Sequence, residues 1–328
     1  MLKDKSFLIT GGTGSFGHTL VNKLLNTDIG EIIIFSRDEA KQHFMRQQIA
    51  DKRIRFILGD VRNFDSVSRA LTNVDYVFHA AALKQVPASE AFPWEFVQTN
   101  VQGSHNILRA ISESRVSNSV FLSTDKAVYP LNAMGMTKAL MEKLVRSDDY
   151  FSNSTAVITR YGNVIGSRGS VIPQFIDSIN KFGYVTVTDP DMTRFMMSLE
   201  ESVELVLFAL ENGRNGDLFV QKSPAASVQV IVGALSLLLG KSNVEVRDIG
   251  IRPGEKIHET LLTAEERSLA LEHQEYFQVK KRNETTGSLH GTSEQSRQDY
   301  TSANTVNLSV EELADLLSQI PLVTSLLK

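Results

Sequence analysis

The chain has 328 residues, of which 42% are hydrophobic, and its formal net charge is −4. This length fits one large domain or two modest ones, and the apolar residues suffice for a sizeable core. Because there is no long basic run, the sequence gives no support for a nucleic-acid or membrane-surface partner. Cysteine is absent, which excludes disulfides, thiolate zinc sites and cysteine nucleophiles, and we expect no metal site.

No stretch of the sequence indicates a membrane helix or an export signal. Residues 1–5 lead directly into an apolar run and lack the longer apolar region of a signal peptide. The apolar run at residues 230–239 is too short to cross a bilayer. We therefore expect a cytoplasmic protein without membrane insertion.

A glycine-rich turn follows the first apolar run, residues 6–10, and precedes leucines at helical spacing. Glycines between a strand and a helix let the backbone approach a pyrophosphate, and the helix N-terminus offers N–H groups to this anion. The turn therefore predicts a dinucleotide cofactor. The residues expected to bind it are Gly11, Thr13, Gly14, Ser15, Phe16 and Gly17.

The residues after the second apolar run, 31–35, bear on the choice of cofactor. NAD sites place an acid at the end of this strand, whereas the 2′-phosphate of NADP requires a cation. The hydroxyl of Ser36 and the guanidinium of Arg37 come first here, with Lys41 close behind. We predict that these three residues bind NADP. NAD stays the less favoured alternative, because Asp38 or the next glutamate could reach the ribose.

Two further strands, expected at residues 53–58 and 74–78, end in residues suited to the cofactor. The acidic and apolar side chains that follow the strand at residues 53–58 are expected to lie beside the adenine. The small side chains that follow the strand at residues 74–78 are expected to lie beside the nicotinamide ribose. These residues are Asp60, Val61, Ala80, Ala81 and Ala82. Lys84 is a candidate for facing the substrate, whereas His79 fits a packed core position better than a catalytic one.

A cluster of ionisable side chains follows the strand expected at residues 120–122. It contains Thr124, Asp125 and Lys126, and Lys138 stands behind it in a helix expected at residues 136–146. Ligands bind at the carboxyl ends of the strands in an open α/β sheet. An acid and two amines at this place predict the reacting centre of an enzyme.

Strands alternate with helices through the first half of the chain. This alternation is typical of βαβ units and predicts an α/β fold with a doubly wound, Rossmann-like parallel sheet. The regularity fades after a strand expected at residues 155–158. We expect an NADP-binding domain formed by residues 1–160 and 190–235. A smaller, C-terminal substrate-binding domain is expected from residues 161–189 and 236–328.

The second half contains less regular patterns. Helices are expected at residues 199–210, 226–239 and 257–262. Residues 283–303 are polar and lack apolar periodicity, and we predict a long loop or mobile flap there. A capping box that begins at Ser309 predicts a final amphipathic helix.

These motifs resemble the extended short-chain dehydrogenase/reductase superfamily. The resemblance rests on the glycine motif, Asp60-Val61, Lys138, and Asn100 in a helix expected at residues 94–110. The nucleotide-sugar branch of that superfamily is similar at Asn163, Arg194 and the loop Arg252-Pro253-Gly254-Glu255. Residues 123–127 resemble the inverting UDP-N-acetylglucosamine 4,6-dehydratases of bacterial capsule and O-antigen synthesis.

One departure from the superfamily pattern stands at Met134. The superfamily has a Tyr-x-x-x-Lys pair, whereas here a methionine precedes Lys138 by four positions. A thioether cannot take a proton from a hydroxyl. The chain in this respect resembles the capsule-type subgroup, and the resemblance implies a keto sugar inverted at C5 and a homo-oligomer, namely a hexamer.

The resemblance implies UDP-N-acetylglucosamine as substrate, so acid and base groups are needed at C4, C5 and C6 of the sugar. We assign the C6 acid to Asp125 and the C5 base to Lys126. Burial, Lys138 and the cofactor are expected to lower the pKa of Lys126. Thr124 is expected to hydrogen-bond the C4 oxygen, and Lys138 to orient the nicotinamide ribose. The C4 base stays open between Lys126, Tyr129 and water.

Residues with charged or amide groups are expected to bind the UDP part, since arginine suits pyrophosphate and carboxylate suits ribose hydroxyls. They are Asn163, Arg168, Arg194, Arg252 and Glu255. Two other functions stay open, a UDP-sugar 4-epimerase and a catalytically inactive NADP-binding regulator. An epimerase needs a C4 base and no C6 acid. The combination of Met134 with Asp125 and Lys126 therefore favours the dehydratase.

Overall fold

The computed structural model describes residues 2–147, 149–150, 154–167, 169–242, 244–281 and 297–327. Its strands are β1 Ser6–Thr10, β2 Glu31–Ser36, β3 Ile54–Leu58, β4 Tyr76–His79, β5 Asn118–Leu122, β6 Thr155–Arg160, β7 Asn163–Val164, β8 Tyr184–Val187, β9 Thr193–Met197, β10 Leu218–Gln221, β11 Ala225–Ser227, β12 Glu245–Asp248, β13 Thr260–Leu262, β14 Ala270–Glu272, β15 Tyr276–Val279 and β16 Tyr300–Thr301.

The α-helices are α1 Ser15–Leu25, α2 Glu39–Gln48, α3 Phe64–Ala70, α4 Val86–Ala91, α5 Pro93–Phe96, α6 Gly103–Ser112, α7 Ala133–Arg146, α8 Val171–Phe182, α9 Leu199–Asn212, α10 Val228–Leu238, α11 Ala264–Leu269, α12 Val310–Ser318 and α13 Pro321–Leu326. A π-helical segment, Val97–Gln102, joins α5 to α6, and a 3-10 turn, Asp125–Ala127, follows β5. Within the described residues, no helix is long and apolar enough to span a bilayer.

A nine-stranded sheet organises the described part of the chain, in the order β14-β15-β10-β6-β5-β4-β1-β2-β3. The strands from β10 to β3 pair in parallel, and β15 and β14 add antiparallel pairs at one edge. The chain runs outward from β1 to β3 and then returns to the other side of β1 as β4. This reversal opens a crevice at the carboxyl ends of β1 and β4. The predicted doubly wound parallel sheet is confirmed.

Two buried clusters cover the two faces of this sheet. Phe7 and Ile9 lie in one cluster, whereas Leu8 lies in the other, because successive side chains of a strand point to opposite faces. Strands buried on both faces are continuous apolar runs in the sequence. This is why β1 was predicted with its observed bounds, Ser6–Thr10.

A third buried cluster lies beyond the sheet. It joins side chains of α8, β8, α10 and α12, among them Ile176, Val185, Leu235 and Leu317. The cluster gives the second half of the chain a hydrophobic core of its own. The division into an NADP-binding and a substrate-binding domain stays a prediction.

Two predicted helices were wrong in whole or in part. Residues 260–262 form β13, which pairs antiparallel with β16, and no helix forms at residues 257–262. The prediction for residues 226–239 was too long, because Ala225–Ser227 is a strand that pairs with β9 and the helix begins at Val228. In both places a distant strand supplies the hydrogen bonds that a local helix would have made.

Other helices differ from the predictions at their ends. The helix expected at residues 94–110 is a continuous helical stretch through α5, the π-helical segment and α6. The helix expected at residues 136–146 begins at Ala133, because the Asn132 side chain accepts a hydrogen bond from the Gly135 N–H and caps it. Residues 282–296, most of the expected flap, lie outside the described residues, and its far end carries β16.

Candidate active site

The glycine turn after β1 brings α1 close to the crevice. Gly11 has φ 66°, and a Cβ there would lie 2.9 Å from the Ala81 Cα. A Cβ on Gly17 would lie 2.2 Å from the Gly12 carbonyl oxygen, a separation that real Cβ atoms do not show. The turn therefore needs residues without side chains at both positions, and it directs the N-terminus of α1 into the crevice.

A cavity of about 870 Å³ occupies the crevice. Each residue that the sequence predicted for the cofactor lines it, namely Gly11, Thr13, Gly14, Ser15, Phe16, Gly17, Ser36, Arg37, Lys41, Asp60, Val61, Ala80, Ala81, Ala82 and Lys138. This shared location brings residues from five segments of the chain together. Their individual roles remain predictions.

The two cations predicted for the 2′-phosphate are paired with acids in the structure. Arg37 Nη1 lies 3.8 Å from Asp60 Oδ2, and Lys41 Nζ lies 2.7 Å from Asp38 Oδ2. Asp38 also caps α2, since its side chain accepts a hydrogen bond from the Lys41 backbone N–H. Asp38 and Lys41 thus engage each other in an ion pair whose side chains are 38% and 52% exposed.

The predicted catalytic and substrate-binding residues lie at different depths relative to the cavity surface. Those that line the cavity are Lys84, Thr124, Lys126, Asn163 and Glu255. Asp125 lies beneath the lining and is fully buried. Arg194 lines a smaller neighbouring pocket of about 130 Å³. Arg252 is exposed, and its N–H donates to Glu255 Oε2 at 3.3 Å. Arg168 lies outside the described residues.

Asp125 is held by the 3-10 turn that directly follows β5. Its backbone N–H donates to the Tyr161 carbonyl at 3.1 Å, which ties the turn to the end of β6. The Thr124 hydroxyl donates to Asp125 Oδ1 at 2.8 Å. Burial raises the pKa of Asp125, and the opposing charge of Lys126 does not offset this. A carboxyl group in this environment favours its protonated form, as a general acid requires.

Lys126 is surrounded by three acceptor oxygens. Its Nζ lies 3.0 Å from Asp125 Oδ1, 3.2 Å from Glu259 Oε1 and 3.4 Å from Asn163 Oδ1. Burial alone would lower the pKa of Lys126, but the two carboxylates outweigh burial and raise it. The prediction of a lowered pKa was therefore wrong for the protein without ligands, because it did not include Glu259.

Glu259 is a buried residue beside Lys126 that the sequence patterns did not single out. It lies within residues 257–262, which were expected to form a helix, and it is only 3% exposed. Burial would raise the pKa of Glu259, but Lys126, Arg194 and Lys256 outweigh burial and lower it. The available signal was a glutamate two positions before the apolar pair Leu261-Leu262.

Lys138 lies in the second turn of α7 and lines the cavity. Its ammonium donates to the Leu122 carbonyl and contacts Met141 Sδ at 3.4 Å. Burial lowers the pKa of Lys138 to about 8. Met134, at the position of the superfamily tyrosine, is buried and lines the same cavity. The amine is therefore present without the hydroxyl that accompanies it in the superfamily.

His79 and Tyr129 do not face the reacting groups. The buried His79 ring hydrogen-bonds Thr10 at 2.8 Å and Ser104 at 3.0 Å, and burial lowers its pKa to about 3. The prediction of a core histidine is confirmed. The Tyr129 hydroxyl lies 3.4 Å from Asp299, on a side chain that is 54% exposed. This position makes Tyr129 a poor candidate for the C4 base.

Comparison with known proteins agrees with this architecture. Residues 7–281 match the family described as "polysaccharide biosynthesis protein". The chain is 46% identical over 340 residues to a protein of Rickettsia conorii named UDP-glucose 4-epimerase, and the match covers 100% of this chain and 99% of the relative.

Among solved structures, "Pen" from Bacillus thuringiensis has a TM-score of 0.90 and 36% identity, covering 98% of this chain and 99% of that one. The dTDP-glucose 4,6-dehydratase DesIV from Streptomyces venezuelae, solved with NAD, has a TM-score of 0.71 and 24% identity, covering 77% and 86%. The chain therefore belongs to the family of polysaccharide biosynthesis proteins, and its relative from Rickettsia conorii is named as a nucleotide-sugar epimerase.

Proposed function

We propose that the protein is an NADP-dependent UDP-N-acetylglucosamine 4,6-dehydratase that inverts the configuration at C5. The observation that carries this proposal is the pair Asp125 and Lys126, hydrogen-bonded to each other at 3.0 Å. The pair lies at the carboxyl end of β5, and Lys126 reaches the cavity that the cofactor residues line. Elimination of water needs an acid and a base near the same sugar, and this pair supplies both.

The residues around the cavity fit a dinucleotide. The glycine turn leaves room for a pyrophosphate against the N-terminus of α1, and Arg37 and Lys41 border the same cavity. Cations at the end of β2 favour NADP, whereas Asp38 is engaged by Lys41. NAD stays the alternative, since the dehydratase from Streptomyces venezuelae was solved with it.

The redox part of the reaction belongs to the cofactor. A bound NADP⁺ would accept a hydride from C4 and return it to C6, so that no net oxidation occurs. The C4 ketone makes the C5–H bond acidic. A water molecule takes the proton of the C4 hydroxyl, Lys126 removes the C5 proton, and Asp125 donates its proton to the departing C6 hydroxyl, which leaves as water. When hydride adds at C6, a proton from solvent adds to C5 on the opposite face, which inverts this centre. Lys138 binds the nicotinamide ribose, and Thr124 hydrogen-bonds the C4 oxygen.

One proton transfer creates the acid and the base together. In the resting protein Lys126 holds its proton, as the direction of its pKa shift indicates. Moving that proton along the 3.0 Å hydrogen bond to Asp125 Oδ1 leaves a neutral amine beside a protonated carboxyl. The nearby charge of Arg194 lowers the pKa of Lys126 and so favours this transfer, and a bound oxidised nicotinamide would act in the same direction.

The UDP part of the substrate is assigned to the rim of the cavity and the small pocket beside it. Asn163 and Glu255 border both spaces, and Arg194 borders the small pocket. Lys84 faces the sugar from the loop after β4, and burial lowers its pKa. Arg168 and Arg252 complete the set that we expect to contact the pyrophosphate.

A 4-epimerase is the second candidate, because the relative from Rickettsia conorii carries that name at 46% identity. An epimerase only needs to oxidise C4 and reduce it from the other face. The superfamily tyrosine that would serve C4 is replaced by Met134, whereas Asp125 has no task in epimerisation. These two positions favour elimination. An inactive regulator is the third candidate, and the retention of Asp125, Lys126 and Lys138 argues against it.

A product assay separates the three functions. The protein is incubated with NADP⁺ and either UDP-N-acetylglucosamine or UDP-glucose, and products are identified by mass spectrometry and NMR. We expect a product lighter than UDP-N-acetylglucosamine by one water, with solvent deuterium at an inverted C5. Formation of UDP-N-acetylgalactosamine or UDP-galactose instead would establish the epimerase. Cofactor binding without any product would support the regulator.

Self-association is also part of the proposal. Helices α5 and α7 contact each other, and Trp94, Met136 and Leu140 on them are at least half exposed. Large exposed apolar side chains on adjacent helices are typical of an interface. We expect a homo-oligomer, a hexamer by resemblance, and light scattering of the purified protein measures its mass.

A further inference from the structure

We propose that Glu259 is a positioning residue of the acid–base site, whose carboxylate shares the Lys126 ammonium with Asp125 and thereby sets the protonation of the pair. This inference deepens the proposed function and rests on it. It assigns a task to a residue from the C-terminal half of the chain. The geometry, the anchoring of Glu259 and the charges around it each support the assignment.

The geometry leaves no hydrogen of the Lys126 ammonium unassigned. An ammonium has three donors and no acceptor, and three oxygens surround this one, from Asp125 at 3.0 Å, Glu259 at 3.2 Å and Asn163 at 3.4 Å. Loss of Glu259 would remove one of the two charged contacts. The contacts with Asp125 and Asn163 would remain, but one of the three oxygens that fix the position of the ammonium would be lost.

Glu259 is anchored by a turn from the end of the chain. Its backbone N–H donates to the Ser302 hydroxyl at 2.9 Å, and the Ser302 N–H donates back to the Glu259 carbonyl at 2.8 Å. The Ser302 hydroxyl also contacts the Thr193 hydroxyl at 2.6 Å. Three segments that are distant in sequence therefore converge to hold one carboxylate against the lysine that follows β5.

A purely structural ion pair would not explain why two carboxylates are buried here. Glu259 Oε2 is buried and has no hydrogen-bond partner, and the same is true of Asp125 Oδ2. A buried carboxylate that lacks partners costs free energy, and an apolar pair of similar volume would often be at least as stable. Two such carboxylates on either side of one lysine indicate that their charge serves chemistry rather than stability.

The charges that face Lys126 explain what Glu259 does to the pair. The groups that act on Lys126 or share its pocket are Asp125, Glu259, Arg194, Lys256 and Glu255. The pKa of Glu259 is lowered and that of Asp125 is raised. Glu259 is thus the carboxylate that balances the ammonium. Asp125, with its raised pKa, is the carboxylate that accepts the Lys126 proton and passes it to the departing C6 hydroxyl.

The test compares Glu259→Gln with the wild type and with Glu265→Gln, a matched substitution of an exposed glutamate in α11. Removing the Glu259 charge lowers the pKa of both neighbours, because that negative charge raises each of them. We expect both limbs of the pH–rate profile to move to lower pH by about one unit or more. We also expect kcat to fall by about 10²-fold with KM little changed. Glu265→Gln should match the wild type.

A second readout does not depend on turnover. Lys126 lines the cavity with 22% of its side chain exposed, so acetic anhydride labelling followed by peptide mass spectrometry can measure its titration. We expect the labelling midpoint of Lys126 to fall in Glu259→Gln and to stay in place in Glu265→Gln. If the wild type forms no product, the proposed function fails. The labelling midpoint still tests whether the charge of Glu259 affects the titration of Lys126.

Glu259→Asp keeps the charge and serves if the glutamine variant does not fold. The shorter side chain should lower kcat while the pH limbs stay near those of the wild type. Circular dichroism verifies that each variant is folded. An unchanged labelling midpoint and unchanged pH limbs in folded Glu259→Gln would overturn the proposal. The proposal would also be overturned if the pH limbs of Glu259→Asp moved as far as expected for Glu259→Gln. The charge of residue 259 would then not be what sets the positions of the limbs.

Discussion

Two regions at the carboxyl edge of the same sheet are built on opposite principles. The glycine turn at residues 11–17, with the end of β2, forms a cradle from backbone and from exposed ion pairs such as Arg37 with Asp60, whose side chains are 48% and 26% exposed. The acid–base site after β5 consists of buried charges, with Asp125 at 0% and Glu259 at 3% exposure. Exposed pairs contribute little to stability, whereas each buried charge changes the pKa of its neighbours.

This difference separates two tasks. The cradle would set cofactor specificity, and the acid–base site would carry out the chemical step. A cradle made by adjacent residues can be tuned one side chain at a time, since its shape follows from backbone conformation. The acid–base site depends on segments that meet only in the folded protein. Substitutions in the second region should therefore have larger effects on turnover. Four experiments test this contrast in order of expected effect.

Lys126→Ala should produce the largest loss. A general base contributes roughly 10²–10⁴ in rate, so formation of the dehydrated sugar should fall by about that factor. Oxidation at C4 should persist, and enzyme-bound reduced cofactor should accumulate, as measured by its absorbance. Lys143→Ala, at an exposed lysine of α7, is the control and should leave activity unchanged. Absence of reduced cofactor would mean that Lys126 serves C4, and our division of roles would be wrong.

Gly17→Ala tests whether the turn at residues 11–17 requires a residue without a side chain at this position. The added methyl would meet the Gly12 carbonyl oxygen at 2.2 Å, so the turn or α1 must shift. We expect the free energy of unfolding to fall by about 1–3 kcal/mol, as is typical of overpacking, when measured by urea denaturation. Gly14→Ala is the comparison, since its Cβ would lie 3.2 Å from the Gly11 oxygen and needs a smaller shift. Equal losses would contradict a steric cause.

Arg37→Ala tests cofactor choice at the cradle. Loss of a charge-assisted contact should weaken NADP binding by about 1–3 kcal/mol and leave NAD binding unchanged, as measured by calorimetry. Arg55→Ala provides a matched control, because the Arg55 side chain is 47% exposed and pairs with Glu31 on neighbouring strands. The argument for NADP fails if the unmodified protein binds both cofactors equally well.

His79→Asn tests how a buried histidine on β4, the strand between β1 and β5, affects the pH dependence of stability. The pKa of His79 is lowered from 6.5 to about 3 by burial, so below pH 6.5 the unfolded state binds a proton that the folded state excludes. Stability therefore decreases as the pH falls from about 6.5 towards 3. Between pH 7 and pH 5.5 this group should cost the wild type about 1 kcal/mol, and the variant should lack that loss in urea titrations. His43→Asn, at an exposed position, should behave as the wild type.

The sequence was sufficient for the cradle because its information is local. The apolar run of β1 and the glycine turn behind it predicted both the strand and a crevice, and each predicted cofactor residue borders the cavity. The capping box at Ser309 likewise predicted α12, which begins at Val310. Periodicity, turn residues and caps act over a few positions, so they can be recognised without knowing the fold.

The tertiary structure alone decided the surroundings of Lys126. Residues 257–262 have an ambiguous local pattern, and pairing with β16 makes the end of this segment a strand and turns Glu259 inward. The sequence by itself determined that an acid and an amine follow β5 and that a methionine replaces the superfamily tyrosine. It did not determine the pKa of Lys126, because a pKa depends on every charge within a few ångströms, and Glu259 reaches that distance only through long-range strand pairing.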